Sequence, residues 1–215
     1  MNKFKNTDGA LIVDKIILAI QENKQYLSDI DGLIGDGDHG INMNKGFTMC
    51  RESLDETSGN LAYGLKVLSK ILILKIGGSM GPLYGKFFKA MALSLDKKEE
   101  IDINDFGEAL ESGYQAITSI SPAKTGDKTL IDTLVPAITA YNISRNEGQS
   151  FENAIEAMKA AAIEGRDSTK DMVAKLGRAS RLGERSRGVL DAGATSCCLI
   201  LEAMGNGAKE LLNKS

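Results

Sequence analysis

The stretch Leu61-Ala62-Tyr63-Gly64-Leu65-Lys66-Val67-Leu68-Ser69-Lys70-Ile71-Leu72-Ile73-Leu74-Lys75-Ile76 carries the choice of fold class. Its second half, Ile71 to Ile76, is a short apolar run, and period alone does not separate a strand from a buried helix in such a run. Leu61, Leu65, Leu68 and Leu72, however, recur every three to four residues, the repeat of one helical face, and the apolar run continues it. The segment therefore reads as a helix over 60–75.

The same repeat appears on both sides of this segment. Ile12, Ile16 and Ile20 show it, as do Phe106, Leu110, Tyr114 and Ile117, and then Ile155, Met158 and Ala162. Helices are expected over 8–27, 41–54, 60–75, 82–95, 104–120, 129–145, 150–176 and 191–213, with Asp8, Asn60, Asn104 and Ser150 standing where N-caps are wanted. Pro136 is expected to kink its helix. With no convincing strand elsewhere the class is all-α, and short connections predict an antiparallel up-and-down bundle. Alternating direction places every second connection at one end: 32–40, 77–85, 121–128 and 177–193.

The 215 residues suffice for one sizeable core, and no linker divides them, so a single domain over 1–215 is expected. A net charge of −3 argues against general nucleic-acid binding, which needs a basic face. Asp14 interrupts the apolar part of the amino terminus, and no stretch reaches the ~18 apolar residues of a membrane span. Cys50, Cys197 and Cys198 form neither a disulfide framework nor a zinc spacing, so a reducing cytoplasm is expected.

Three of the shared-end connections are unusual. Ile34-Gly35-Asp36-Gly37-Asp38-His39-Gly40-Ile41-Asn42-Met43 sets two carboxylates, the only histidine and an amide on a glycine-hinged loop, with Asp31 just upstream. Three converging carboxylates offer the hard oxygen ligands that Mg²⁺ prefers, whereas an EF-hand would need acids where Gly40 and Phe47 stand. The plainer reading is an Asp-Gly surface turn, but the density of polar ligands speaks for a metal beside a phosphate. His39 could carry a phosphoryl group, act as a base or donate a hydrogen bond to phosphate.

Gly77-Gly78-Ser79-Met80-Gly81-Pro82-Leu83-Tyr84-Gly85 joins two helices, and backbone amides at such a helix start can hold an anion. It is not a Walker A loop, because Met80 and Phe87 occupy the wrong positions. Lys124-Thr125-Gly126-Asp127-Lys128-Thr129-Leu130 reads mainly as a capping segment, with Asp127 or Thr129 able to cap the next helix. Gly177-Arg178-Ala179-Ser180-Arg181-Leu182-Gly183-Glu184-Arg185-Ser186-Arg187-Gly188 places four arginines in a glycine-punctuated stretch. A solvated loop explains Arg181 and Arg187 equally well; Arg178, flanked by Gly177 and Ala179, has the best claim on a phosphate.

Together these motifs, with Leu190-Asp191-Ala192-Gly193-Ala194-Thr195-Ser196 after them, resemble the nucleotide-binding subunit L of dihydroxyacetone kinase, in order, from about Asp31 to Thr195. The resemblance implies an eight-helix antiparallel barrel whose loops at one end hold ADP or ATP through two Mg²⁺ ions. By motif match, Asp31, Asp36 and Asp38 would be the metal ligands. The nucleotide contacts would be His39, Gly40, Ile41, Asn42, Ser79, Met80, Ser121, Leu130, Arg178, Asp191, Ala192 and Gly193, with Arg178 also catalytic. The family commonly has serine where Met80 stands and H-Q-D-P-G where this chain has Val189 to Gly193.

The implied activity is transfer of the γ-phosphate to dihydroxyacetone, or a related ketose, held on a partner subunit. In the phosphotransferase-linked branch, ADP is rephosphorylated in place by a phosphoenolpyruvate-dependent protein. Alternatives are the nucleotide domain of a fatty-acid-kinase-like system, whose D-G-D-T-G loop differs at His39, and a non-catalytic nucleotide sensor that docks a transcriptional regulator.

Overall fold

The computed structural model describes residues 3–54 and 60–214. Among them are nine α-helices: α1 (Ala10–Glu22), α2 (Lys24–Ile34), α3 (His39–Ser53), α4 (Leu61–Lys75), α5 (Met80–Leu95), α6 (Ile103–Thr118), α7 (Ile131–Asn146), α8 (Phe151–Ser168) and α9 (Ala192–Lys214). The deciding stretch is helical through Lys75, and its cap is the expected one: the Asn60 side chain accepts the Tyr63 N–H at 3.1 Å. Ser150 caps α8 in the same way through Asn153, also at 3.1 Å.

Burial follows the repeat that the sequence shows. Ile12, Val13, Ile16, Ile17 and Ile20 of α1 are sequestered, as are Leu61, Leu65, Leu68 and Leu72 of α4 and Phe106, Ala109, Leu110 and Ile117 of α6. Each fully buried branched side chain contributes ~1.5–3 kcal/mol relative to exposure. From α3 onward each helix packs on the next, and α9 returns onto α1, which also packs on α3, while α2 lies against α3 and α9. No described helix is long and apolar enough to cross a membrane.

Several boundaries differ from expectation for local chemical reasons. The helix expected over 8–27 is two, because Asn23 leaves helical geometry and its side-chain amide donates to the Ala19 carbonyl at 2.8 Å. The chain then re-enters a helix that runs to Ile34, so Asp31 sits on α2 rather than on a loop. Asp8 caps nothing, since Gly9 precedes α1. α6 is capped by a reciprocal box of Asp102 and Asp105, not by Asn104.

α8 ends at Ser168 rather than near 176. There the Ser168 and Thr169 hydroxyls turn back onto the carbonyls of Gly165 (2.7 Å) and Arg166 (2.6 Å). α7 runs through Pro136 without interruption. An addition to the all-helical expectation is a two-stranded antiparallel ribbon of β1 (Lys3–Lys5) and β2 (Glu100–Asp102), which buries Phe4 opposite Ile101. Three-residue strands are too short to display a period in sequence.

Candidate active site

One cavity of about 370 Å³ collects the ends of α2, α3, α5, α6, α7 and α9, together with the loops around residues 77–79, 121–123 and 176–179. The four connections that sequence parity assigns to one end do meet there. α3, α5, α7 and α9 begin at this cavity and α2 and α6 end at it, so helices alternate in direction around the site. Four helix starts turn the positive ends of their dipoles toward one space.

Asp31 occupies the last turn of α2, where its carboxylate accepts the His39 N–H at 3.3 Å. Gly35 follows in a tight return, and a side chain there would strike the Asp31 carboxylate. Gly37 takes φ 75, a left-handed conformation that glycine adopts without steric cost. The result brings ligand oxygens of Asp31, Asp36 and Asp38 within 4.8 Å of one another. Three anionic oxygen donors that close, with one side half open, fit a hard divalent cation. Arg178, at the start of the arginine-rich segment, forms an ion pair with Asp36.

His39 opens α3 just behind the carboxylates. Burial lowers its pKa to about 4 against a weaker opposing pull from Asp31, so the ring is neutral near pH 7. Its Nε2 lies 2.9 Å from Ser196 Oγ on α9. The same hydroxyl is 2.7 Å from the Tyr84 hydroxyl on α5, which also donates to the Gly193 carbonyl at 3.1 Å. Asp191 caps α9 through the Ala194 N–H at 2.7 Å, and burial pushes its carboxyl up to about 7.

Of the sequence-expected residues, Asp31, Asp36, Asp38, His39, Asn42, Ser79, Met80, Ser121, Leu130, Arg178, Asp191, Ala192 and Gly193 all line the cavity. Gly40 and Ile41 do not. Gly40 is packed against the Lys24 carbonyl and Ser28 of α2, and Ile41 is 53% exposed on the outer face of α3. Of the two expected caps, Asp127 supplies none to α7 and instead accepts the Lys124 N–H, whereas the Thr129 hydroxyl accepts the N–H of Ile131, the first residue of α7, at 3.2 Å; Asp132 gathers the amides of Gly126 and Thr129.

Sequence reasoning gave no role to Tyr84, Ser196 or Lys128. The first two sit inside recognised motifs but look like ordinary helix residues until α5 and α9 are brought together. Lys128 lines the cavity, yet its ammonium donates to the carbonyls of Ser186 (2.5 Å), Val189 (2.6 Å) and Met172 (3.2 Å) rather than into the space.

Carboxylates converging beside helix N-termini and an arginine define a protein equipped to handle phosphate with a divalent cation. Residues 33–206 match the DAK2 domain, and the chain belongs to that family. It is 39% identical to the ADP-binding subunit of phosphoenolpyruvate-dependent dihydroxyacetone kinase 1 of Listeria innocua, over 86% of this chain and 88% of that one. It is 35% identical to the corresponding Escherichia coli subunit, over 86% and 89% of the two chains.

The native dihydroxyacetone kinase of C. freundii shares the fold at TM-score 0.69 and 25% identity, over 94% of this chain but 35% of that longer one. The same kinase in complex with AMP-PNP and Mg²⁺ gives TM-score 0.65 at 23% identity, over 92% and 33%.

Proposed function

We propose that this chain is the nucleotide-holding subunit of a dihydroxyacetone kinase. In this reading it retains ADP or ATP through two Mg²⁺ ions and passes the γ-phosphate to dihydroxyacetone, or a related ketose, bound on a partner subunit. A phosphoenolpyruvate-dependent phosphotransferase protein then rephosphorylates ADP in place. The observation that carries the reading is the convergence of Asp31, Asp36 and Asp38 at a cavity ringed by helix N-termini, in a chain that matches ADP-binding subunits along most of its length.

The whole chain serves as one nucleotide-binding domain in the cytoplasm. Its helices form an eight-stave barrel in which α1 and α2 are a single stave broken at Asn23.

Each group has a distinct task. Asp31, Asp36 and Asp38 hold the cations, which supply charge neutralisation to phosphate oxygens when bound. The starts of α5 and α9, at Ser79–Met80 and Ala192–Gly193, present amides to the phosphates, and His39 and Asn42 at the start of α3 line the same cavity. Neutral His39 contributes a hydrogen bond and no charge. Met80, Leu83, Ile117 and Leu130 line the cavity with apolar surface suited to a flat base, and Ser121 sits at its edge. Arg178 neutralises charge that develops on the transferred group, as a guanidinium fork can.

The test is to acid-denature purified protein, identify released nucleotide by chromatography, and repeat after dialysis with and without EDTA. Near-stoichiometric ADP that survives dialysis but not chelation is the expected result. Nucleotide that dialyses away freely with Mg²⁺ present points to an ATP-exchanging kinase subunit, and failure to bind added ADP or ATP with Mg²⁺ overturns the proposal.

A further inference from the structure

Lys128 is the only lysine or arginine buried among the described residues, at 1% exposure, and the only described non-glycine residue with positive φ, 61°. Burying an ammonium is costly unless every proton finds an acceptor, and a left-handed backbone adds strain for a residue with a Cβ. Both costs are borne at one position, and the three carbonyls around Nζ account for all three protons. No proton remains for a phosphate. Although it stands in a Gly-Asp-Lys-Thr sequence at the cavity wall, Lys128 is therefore not arranged as a phosphate ligand.

The three acceptors lie at the two feet of one excursion. Met172 is on the outgoing side, and Ser186 and Val189 are on the returning side. Nearby stitches close the same neck: Ala174 N–H to Ser186 Oγ at 2.9 Å, Gly188 N–H to the Lys170 carbonyl at 2.7 Å, and Lys175 N–H to the Asp127 carbonyl at 3.1 Å. The tip of the excursion carries Gly177, Arg178 and Ala179 into the cavity. Gly177, Gly183 and Gly188 all have positive φ, with no atom within 4 Å of an added Cβ, so the excursion can pivot without breaking a packed core.

We propose that Lys128 is the positioning residue that latches the 172–189 excursion over the cavity, setting Arg178 against the carboxylate cluster and controlling escape of bound nucleotide. The proposal rests on the nucleotide-holding reading above. The exchange of three carbonyls for water on opening leaves the ammonium's protons hydrogen-bonded in either state, which suits a gate that opens and closes rather than a permanent rivet.

Lys128→Met keeps the unbranched apolar stem, one atom shorter, and removes the donors; Lys128→Gln, which keeps one polar head, takes its place if the methionine variant does not fold. Two readouts apply to each. Amide hydrogen exchange without nucleotide is expected to accelerate about ten-fold or more across 172–189, with the helices unchanged. Release of a fluorescent ADP analogue in Mg²⁺ is expected to accelerate about ten-fold, and to gain little further from Lys128→Met in an Arg178→Ala background, because the two residues act in series.

Unchanged exchange in the excursion overturns the latch, whether or not the protein binds nucleotide. Accelerated exchange with unaltered nucleotide release, or effects that multiply with Arg178→Ala, reduces Lys128 to a structural residue and also overturns it. Absence of any Mg²⁺-dependent binding by the unmodified protein instead removes the nucleotide reading, and with it the claim on nucleotide escape.

Discussion

Ser196 Oγ on α9 stands 2.9 Å from Nε2 of His39 at the start of α3, two residues 157 positions apart in the chain. The contact ties the first turn of one cavity-facing helix to another, and Tyr84 joins it from α5. A neutral imidazole needs its second nitrogen fixed if the first is to meet a ligand in a defined orientation. Replacing Ser196 with alanine is expected to weaken nucleotide binding about five-fold, in line with ~1 kcal/mol for one hydrogen bond. Calorimetric titration decides it; an affinity equal to that of the unmodified protein means the serine does not orient the ring.

Asp36 is the most exposed member of the carboxylate cluster, with 38% of its side chain accessible. Asp36→Ala is expected to abolish metal-dependent nucleotide retention and leave the helical circular-dichroism signal intact. Retention and turnover unaffected by the substitution would count against the metal assignment. EDTA should reproduce the effect in the unmodified protein, since chelation removes the same ligand link.

Gly40 lies where α3 presses on α2, and an added Cβ would meet the Lys24 carbonyl and the Ser28 backbone. Neither backbone atom can rotate away. Gly40→Ala is expected to cost ~1–3 kcal/mol through overpacking, measured by urea denaturation. A loss well below that range would show that α2 and α3 separate easily.

Asp191 has its pKa raised to about 7 in the folded chain, chiefly by burial, against 3.8 for the ordinary carboxyl. Between those values the folded state binds more protons than the unfolded one, so this residue's contribution to stability falls as pH rises from about 4 to about 7 and is constant above. Asp191→Asn keeps an acceptor for the helix cap and removes the titration. Its stability relative to the unmodified protein should therefore improve across that window, by an amount on the order of 4 kcal/mol at most. Parallel denaturation curves at every pH would refute it.

Much of this architecture is legible along the chain. The leucine repeat from Leu61 identifies a helix because each residue's burial depends on the one four positions away, a relation that sequence records directly. The meeting of the glycine-rich connections also follows from helix parity alone, and the cavity gathers all four. Boundaries were less legible. Asn23, Ser168 and Thr169 end helices through side-chain bonds to nearby carbonyls, and the same residue types lie inside helices elsewhere, as Asn142 and Thr195 do.

The sequence by itself determined the helical body, the carboxylate trio and the arginine that accompanies it, because those depend on local period and on residue chemistry packed into short motifs. Only the tertiary structure decided which polar groups face one another across the cavity. Lys128 sits in a motif that resembles a phosphate grip, yet its protons go to carbonyls 44, 58 and 61 residues away. Ser196 reads as a small residue on a buried helix until His39 and Tyr84 arrive from two others. Such partnerships depend on the relative position of elements distant in sequence, and burial then makes each unpaired donor costly enough to fix them.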